Sequence, residues 1–492
     1  MISRVLFLMI CAALIFPILS TAQEVEYYPC SQPLTGTVGL DNLGCRLINV
    51  PLHHANPDGE MIKLPAIRIK SVRATAAPDP VVFITGGPGV STIRGFRGLF
   101  GTEIGDALRQ THDIILIEQR GTLYAEPYLE CPEHDQALLD SLGRSLNYEE
   151  DMAVRVAAFT ACRDRLITEG VDMSAYNSLE NARDHALIME VLGFEEYNLY
   201  GLSYGAQLAQ HIMRLDGEHI RSVILDSPGG LAQNFTLDQP LSMDRALRKL
   251  FESCAADRQC NSSYPNLEAT FFETVSYLNK QPVRLAARSS KLNQRDLPVY
   301  LTGDRLVYLV FLALYDEWML PELPYLITQI AGGEYQWVSE NMIDELLQSF
   351  WNGMHFSTIC AEDARFAPED IPTEGVARDI VRVMAADTQS YLDICVKWDV
   401  PSLGDEVDTP LTSDIPTLIF SGEFDPITPP AYGRAIAESL TNARFYEFTA
   451  RSHVVFFGTP CALLMGTEFW RDPTAPLKDD CTAEEEISFR LR

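Results

Sequence analysis

The chain has 492 residues, 47% of them hydrophobic and 22% charged, with a formal net charge of −30 from 68 acidic and 38 basic residues. A chain of this length buries a large core and has room for more than one structural unit. Its acidity repels polyanions, which excludes nucleic acid and anionic membrane as partners and suits a soluble surface.

The N-terminus reads MISRVLFLMICAALIFPILSTAQ, with Arg4 ahead of an apolar run and Ser20-Thr21-Ala22 behind it. This is the pattern of a secretory signal over residues 1–22, cut before Gln23. Pro17 interrupts the run, which is short for a bilayer span, so no stable membrane insertion is expected after cleavage. Ile10, ahead of Cys11, is not the small residue that a lipoprotein signal needs. The expected location is exported, periplasmic or secreted.

Cysteine usage points the same way. Apart from Cys11, ten cysteines fall in neighbouring couples: Cys30 and Cys45, Cys131 and Cys162, Cys254 and Cys260, Cys360 and Cys395, Cys461 and Cys481. An even set in an exported chain suggests disulfides, and pairing of neighbours is the expected connectivity. There is no C-x-x-C, and no histidines stand at zinc spacing near Cys254 and Cys260, so no metal site is expected. The His53-His54 pair reads as a surface feature.

Short β-branched runs alternate with helix-like stretches. The strand candidates are PVVFIT (80–85), DIILIE (113–118), YNLYG (197–201), RSVILD (221–226), PTLIFS (416–421) and RFYEFT (444–449). All are nearly continuous in apolar residues, as strands buried on both faces must be. The predicted class is α/β, a mostly parallel sheet with helices on both faces. SLENARDHALIMEVLG (178–193) has helical periodicity and stops at Gly193, a plausible glycine stop. From about 231 to 404 the alternation gives way to helix-like pieces, such as DRALRKLFESCAA. This divides the chain into a core first part (23–230), a mainly helical cap insertion (231–404) and a core second part (405–492).

Between strand YNLYG and helix YGAQLAQHIMRL stands Ser203, in G-L-S-Y-G. A lone G-x-S-x-G occurs by chance, but here it has strand before and helix after. That context is what a strained turn needs if it is to push a serine hydroxyl out of the sheet. A serine alcohol is a weak nucleophile at neutral pH and requires a base and an orienting acid. In such a fold these follow in the order acid, then histidine, each just past a later strand. Asp425 follows PTLIFS, and His453 follows RFYEFT. Of nine histidines only His453 lies beyond Asp425. Asp226, at the end of RSVILD, is the rival acid, and Asp425 is preferred. FITGGPGVS (83–91) follows the first core strand, where this fold supplies an N–H to an oxyanion hole. Gly87 is the candidate donor there, partnered by the N–H of Tyr204.

TGGPG, EQRGT (118–122), GLSYG, GEFD and SH, in that order, resemble the α/β-hydrolase serine aminopeptidases of the prolyl iminopeptidase type. CPE (131–133), TICAEDARF (358–366) and TPCALLMGTEFWRDPTAPLKDDC (459–481) resemble its exported tripeptidyl-aminopeptidase-like branch. The resemblance covers most of residues 60–481. It implies hydrolysis at the amino end of a small peptide-like substrate, through an acyl-enzyme on Ser203. In the family, acidic cap residues hold the substrate's ammonium, and Glu362, with Asp363 beside it, best matches that position. The chain departs from the family pattern at Thr85, Glu118 and Val90, which bears on pocket shape. The expected partner is a small peptide or ester, and no cofactor is required. An esterase or lipase-like hydrolase of small acyl esters is the alternative. A catalytically inactive binding protein on the same fold is a third reading, disfavoured because serine and histidine are both present.

Overall fold

The computed structural model describes residues 44–347, 350–483 and 486–491. The expected signal segment, and Cys30 of the first cysteine couple, lie outside the described residues. Among the described residues eight strands form one sheet: β1 (Gly44–Pro51), β2 (Met61–Ile69), β3 (Val81–Ile84), β4 (Ile114–Ile117), β5 (Tyr197–Leu202), β6 (Ile220–Asp226), β9 (Thr417–Gly422) and β10 (Ala443–Phe448). Their order is β1-β2-β4-β3-β5-β6-β9-β10. From β4 to β10 all neighbours are parallel, whereas β1–β2 and β2–β4 are antiparallel. All six strands expected from the sequence are present. The antiparallel pair at the edge was not foreseen. In β2, polar Lys63 and Arg68 interrupt the apolar pattern, so the run lacks the unbroken hydrophobicity of a doubly covered strand.

The helices used below are α1 (Pro132–Leu142), α2 (Tyr148–Thr168), α3 (Ser178–Val191), α4 (Tyr204–Asp216), α5 (Gln239–Ala256), α6 (Gly303–Tyr315), α7 (Asn352–Glu362), α8 (Ala386–Trp398), α9 (Pro430–Ser439) and α10 (Pro460–Arg471). Strand side chains alternate between two cores with the period of two that the pleat imposes. Val82, Ile84, Leu199, Val223 and Ile419 pack with α3, α4 and α9. Phe83, Tyr200, Ile224, Leu418 and Phe420 pack with Met465, Phe469 and Trp470 of α10. Each such side chain, fully buried, contributes roughly 1.5–3 kcal/mol. The helix α3 ends as its sequence suggested, with Gly193 at φ +79°.

The segment between β6 and β9 is mainly helical but also contains an antiparallel hairpin, β7 (Val283–Ser289) and β8 (Gln294–Leu301). Its strands are half exposed and rich in Arg, Gln and Asp, so they carry no buried-strand signature. The helical segment has its own hydrophobic core, with Leu247, Phe271, Leu309 and Ile343. Its later helices behave differently. Phe356 and Cys360 of α7, with Ile394 and Trp398 of α8, pack into the sheet's core beside Phe159 and Tyr176. Cys131–Cys162, Cys254–Cys260, Cys360–Cys395 and Cys461–Cys481 are disulfides, each joining neighbours in the chain. No helix among the described residues is long and apolar enough to cross a membrane.

Arg120, in EQRGT, is buried without exposed surface. It is paired with Asp184 at 2.7 Å and donates to the carbonyls of Leu52 and Ala175. Asp184 also sits 2.8 Å from the His54 ring. His54 therefore belongs to a buried ionic cluster that ties β1 to α3, not to a free surface pair. Gln119 donates to Thr85 O at 2.9 Å, and Glu118 accepts the Ile93 N–H at 3.1 Å. EQRGT thus anchors both sides of the TGGPG turn.

Candidate active site

Ser203 joins β5 directly to α4 at φ 58° and ψ −122°, a conformation that costs a non-glycine residue of order 1–3 kcal/mol. The turn around it is tied on both sides. The Ser203 N–H donates to Asp226 O at 2.9 Å, and the Ser203 carbonyl accepts from Ala206 N–H at 2.9 Å and Gly229 N–H at 3.2 Å. The flanking glycines are required by close approach. A Cβ on Gly201 would lie 2.5 Å from Gly205 O, and one on Gly205 would lie 2.4 Å from Ile84 O. Helix α4 therefore starts hard against the end of β3. A Cβ on Gly86 would meet Ser203 Cβ at 2.7 Å, so the TGGPG backbone passes directly over the serine.

Gly87, at φ +116°, and Tyr204, the first residue of α4, both line the cavity into which Ser203 opens. Among the described residues neither N–H has an acceptor. Two free donors beside a serine, one of them at a helix N-terminus, are suited to a developing oxyanion.

His453 follows β10, and its Nδ1 lies 2.7 Å from Asp425 Oδ2. Asp425 is fully buried and also accepts the N–H groups of Ile427 (3.0 Å) and Thr428 (2.9 Å). Burial alone would raise this carboxyl, but the His453 charge, its hydrogen bond and the two N–H donors hold it below the ordinary range. For His453 burial works toward a lower value. The charge and hydrogen bond of Asp425, with a smaller contribution from Asp226, outweigh it and raise the imidazole. The result is a ring held in one orientation with its basicity increased, as general-base work demands. Ser203 and His453 line the same cavity of about 560 Å³. Among the described residues no hydrogen bond joins the serine hydroxyl to the ring, and such contacts tighten when substrate binds.

Asp226, the rival acid, does not orient the imidazole. Its carboxylate accepts Val455 N–H at 2.9 Å, Phe456 N–H at 3.0 Å and Tyr200 Oη–H at 2.8 Å. Burial lifts it to about 6, partly offset by those donors. Beside it Ser227, at φ +46°, accepts the Val454 N–H on its Oγ at 3.0 Å. The Ser227 carbonyl lies 2.9 Å from the hydroxyl of Thr428, which is itself 2.8 Å from Asp425 Oδ2. The Asp226-Ser227 pair therefore touches all three loops, those carrying Ser203, Asp425 and His453. Sequence reasoning missed this hub because a strand-end Asp-Ser has no signature.

Glu362 and Asp363, matched to an ammonium site by resemblance, are not on the cavity wall. Glu362 ends α7 buried, its carboxylate accepting Ser178 N–H at 2.6 Å and Ser178 Oγ–H at 2.7 Å. It thus caps the N-terminus of α3, and Ser178 Oγ is in turn 2.8 Å from the Tyr204 hydroxyl. Burial raises Glu362 to about 7, with the Ser178 donors opposing. Asp363 is also buried, and burial with the adjacent Glu362 raises it well above the carboxylate range. The acidic side chains that do line the cavity are Asp316, Asp344, Glu345 and Asp387, against one cation, Lys291. Among the described residues no group of three or more His, Cys, Asp or Glu is placed to hold a metal ion.

The chain is 24% identical over 474 residues to the serine protease Hip1 of Mycobacterium tuberculosis (strain H37Rv), a match covering 89% of this chain and 87% of that protein. Hip1 of Mycobacterium bovis is similar to the same extent. Among solved structures, the thermophilic esterase from Thermogutta terrifontis aligns over 87% of this chain and 99% of its own, at 13% identity and a TM-score of 0.38. Residues 79–460 match the α/β hydrolase fold family. That span runs from just ahead of β3 to the start of α10 and takes in the serine turn, the Asp425 loop and the His453 loop: the chain belongs to the α/β hydrolase fold family.

Proposed function

We propose that this chain is an exported serine hydrolase that cleaves amino-terminal residues or short peptides from peptide substrates. Ser203 attacks the carbonyl, His453 takes its proton and returns it to the leaving amine, and Asp425 holds the imidazole. The N–H groups of Gly87 and Tyr204 receive the oxyanion, and water then releases the acyl group from Ser203. The observation that carries this reading is that His453, held by Asp425 at 2.7 Å, lines the same cavity as the strained Ser203.

Support for an amine-bearing substrate comes from the wall itself. Among the described residues Asp316, Asp344, Glu345 and Asp387 face the cavity, of which Asp387 is matched by Arg155 at 2.5 Å. The carboxylates left outnumber the single lysine, Lys291, whose Nζ donates to the carbonyls of Asp344 (2.6 Å) and Leu347 (2.7 Å). The resulting field favours a cationic amino terminus over an anionic or carboxylate-bearing ligand. The four disulfides among the described residues and the N-terminal signal pattern support export. Similarity to a serine protease supports peptide cleavage. The second reading, hydrolysis of small acyl esters, is favoured by the apolar part of the wall, with Phe235, Phe311 and Leu312.

A panel of free-amine aminoacyl and tripeptidyl chromogenic amides, their N-blocked counterparts and short-chain acyl esters decides between them. The peptidase reading expects the free-amine amides to be cleaved, the blocked ones to be poor, and Ser203→Ala to abolish turnover while retaining the fold. Turnover of esters alone, or equal rates on blocked and free amides, rejects it.

A further inference from the structure

A second cavity, of about 160 Å³, adjoins the one that holds Ser203 and His453. The two share a wall made of Tyr308, Phe350, His355, Asp387 and Tyr391. Helix α6 connects them. Tyr315 meets the His453 ring edge-on at 5.2 Å, Phe311 meets Tyr315 at 5.2 Å, and Tyr308 follows at 5.8 Å from Phe311. Tyr308 then lies 6.5 Å from Tyr148, which also lines the second cavity. An unbroken row of rings thus leads from the imidazole to the adjoining chamber.

The length of that row sets a ruler. Tyr315 stands seven positions beyond Tyr308 on α6, and at 1.5 Å per position this is about 10 Å. An extended peptide advances about 3.3 Å per residue, so about three residues run beside the stretch of α6 from Tyr315, at the imidazole, to Tyr308, at the chamber.

The chamber's chemistry selects what ends there. Its charged groups are matched internally: Arg155 donates to Asp387 at 2.5 Å, and Arg305 donates to Asp151 at 3.0 Å through both Nε and Nη2. Burial lowers His355 to about 4, opposed by its bond to Pro88 O, and the ring is neutral at ordinary pH. The rest of the lining is largely aromatic and aliphatic, with Leu138 and Leu142 of α1 and Met152 and Phe159 of α2. A charged ligand group would find no free counter-charge among these residues, whereas an apolar one loses only water.

We propose that the second cavity is a distal acyl subsite, which takes an apolar side chain about three residues to the amino side of the scissile bond. The inference rests on the hydrolase reading and adds to it a substrate class, peptides with an apolar residue at that position. The ring row carries the intervening backbone, and the matched charges exclude acidic and basic side chains from the chamber.

The test uses the mature protein and free-amine p-nitroanilides of one residue and of three, with Leu or Asp as the first residue of the tripeptidyl series, and p-nitrophenyl acetate alongside. For the wild type, kcat/KM is expected to favour Leu over Asp by at least about tenfold, the scale of discrimination by one apolar contact. Leu138→Trp, which fills the chamber from α1, should lower the ratio of Leu-tripeptidyl to single-residue kcat/KM by at least about tenfold. Indifference of the wild type to Leu or Asp, or an unchanged ratio in Leu138→Trp, overturns the subsite while leaving the hydrolase reading in place. Failure of the wild type on every anilide and on p-nitrophenyl acetate refutes the underlying reading. The Leu-against-Asp comparison needs no variant, so it stands even if the tryptophan prevents folding.

Discussion

The carboxylate of Asp226 accepts the amide of Val455 at 2.9 Å and so fixes the chain two residues beyond His453. The intervening Val454 sits at φ +70°, a conformation that a β-branched residue adopts only under constraint. Ser227 Oγ, taking the Val454 N–H, supplies the second restraint. The imidazole is therefore held from two directions, its Nδ1 by Asp425 and its backbone by the end of β6.

Asparagine at the two aspartates should separate these roles. Asp425→Asn removes the group that orients and charges against the imidazole and should cost about four orders of magnitude in kcat. Asp226→Asn turns an NH₂ toward backbone donors, so it should destabilise the fold by about 1–3 kcal/mol and lower kcat by about 100-fold through misplacement of His453. Steady-state kinetics with thermal melts of both variants check this. Equal losses of kcat would contradict the division.

Gly86→Ala should damage catalysis without unfolding the chain. The new methyl would lie 2.7 Å from Ser203 Cβ and 3.1 Å from its Oγ, so the serine or the TGGPG turn must move. A displacement near 1 Å costs about 100-fold in kcat. Circular dichroism should remain that of the wild type while turnover falls.

The pH–rate profile follows from the direction of the His453 shift. The base must be neutral to accept the serine proton, and Asp425 raises its pKa above the ordinary 6.5. Activity should therefore fall as pH drops, with the midpoint of kcat/KM on the alkaline side of 6.5. In Asp425→Asn the residual activity should show that midpoint moved to lower pH.

Glu362 should leave its mark on stability. Its folded value of about 7 lies above the ordinary 4.5, so the native state retains a proton that the unfolded chain has released between those values. Its contribution is full below about 4.5 and is lost as pH rises through 7, a difference of up to about 3 kcal/mol. Glu362→Gln can still accept from Ser178 and should flatten that part of the stability–pH curve in denaturant titrations. An unchanged slope would refute the assignment.

Much of the framework was legible because its signals are local. Parallel strands covered on both faces must be apolar at nearly every position, and VVFI, IILI, LIFSG and their fellows are. β1, β2 and the β7–β8 hairpin escaped because edge and half-exposed strands mix polar residues into the pattern. The Glu362 reading failed to reach the cavity for a different reason. A motif such as CAED names a position on a helix, but the direction of the carboxylate depends on which N-terminus packs against it.

Ser203, Asp425 and His453 could be ordered along the chain because each follows a strand, and strand ends in a parallel sheet gather at one edge. The joining of those three loops by Asp226 and Ser227, the seating of Glu362 on α3 and the meeting of Tyr315 of α6 with the His453 ring could not. They arise from contacts between segments as far as 230 residues apart, such as Phe456 to Asp226, whose geometry exists only after the sheet and its inserted helices have packed.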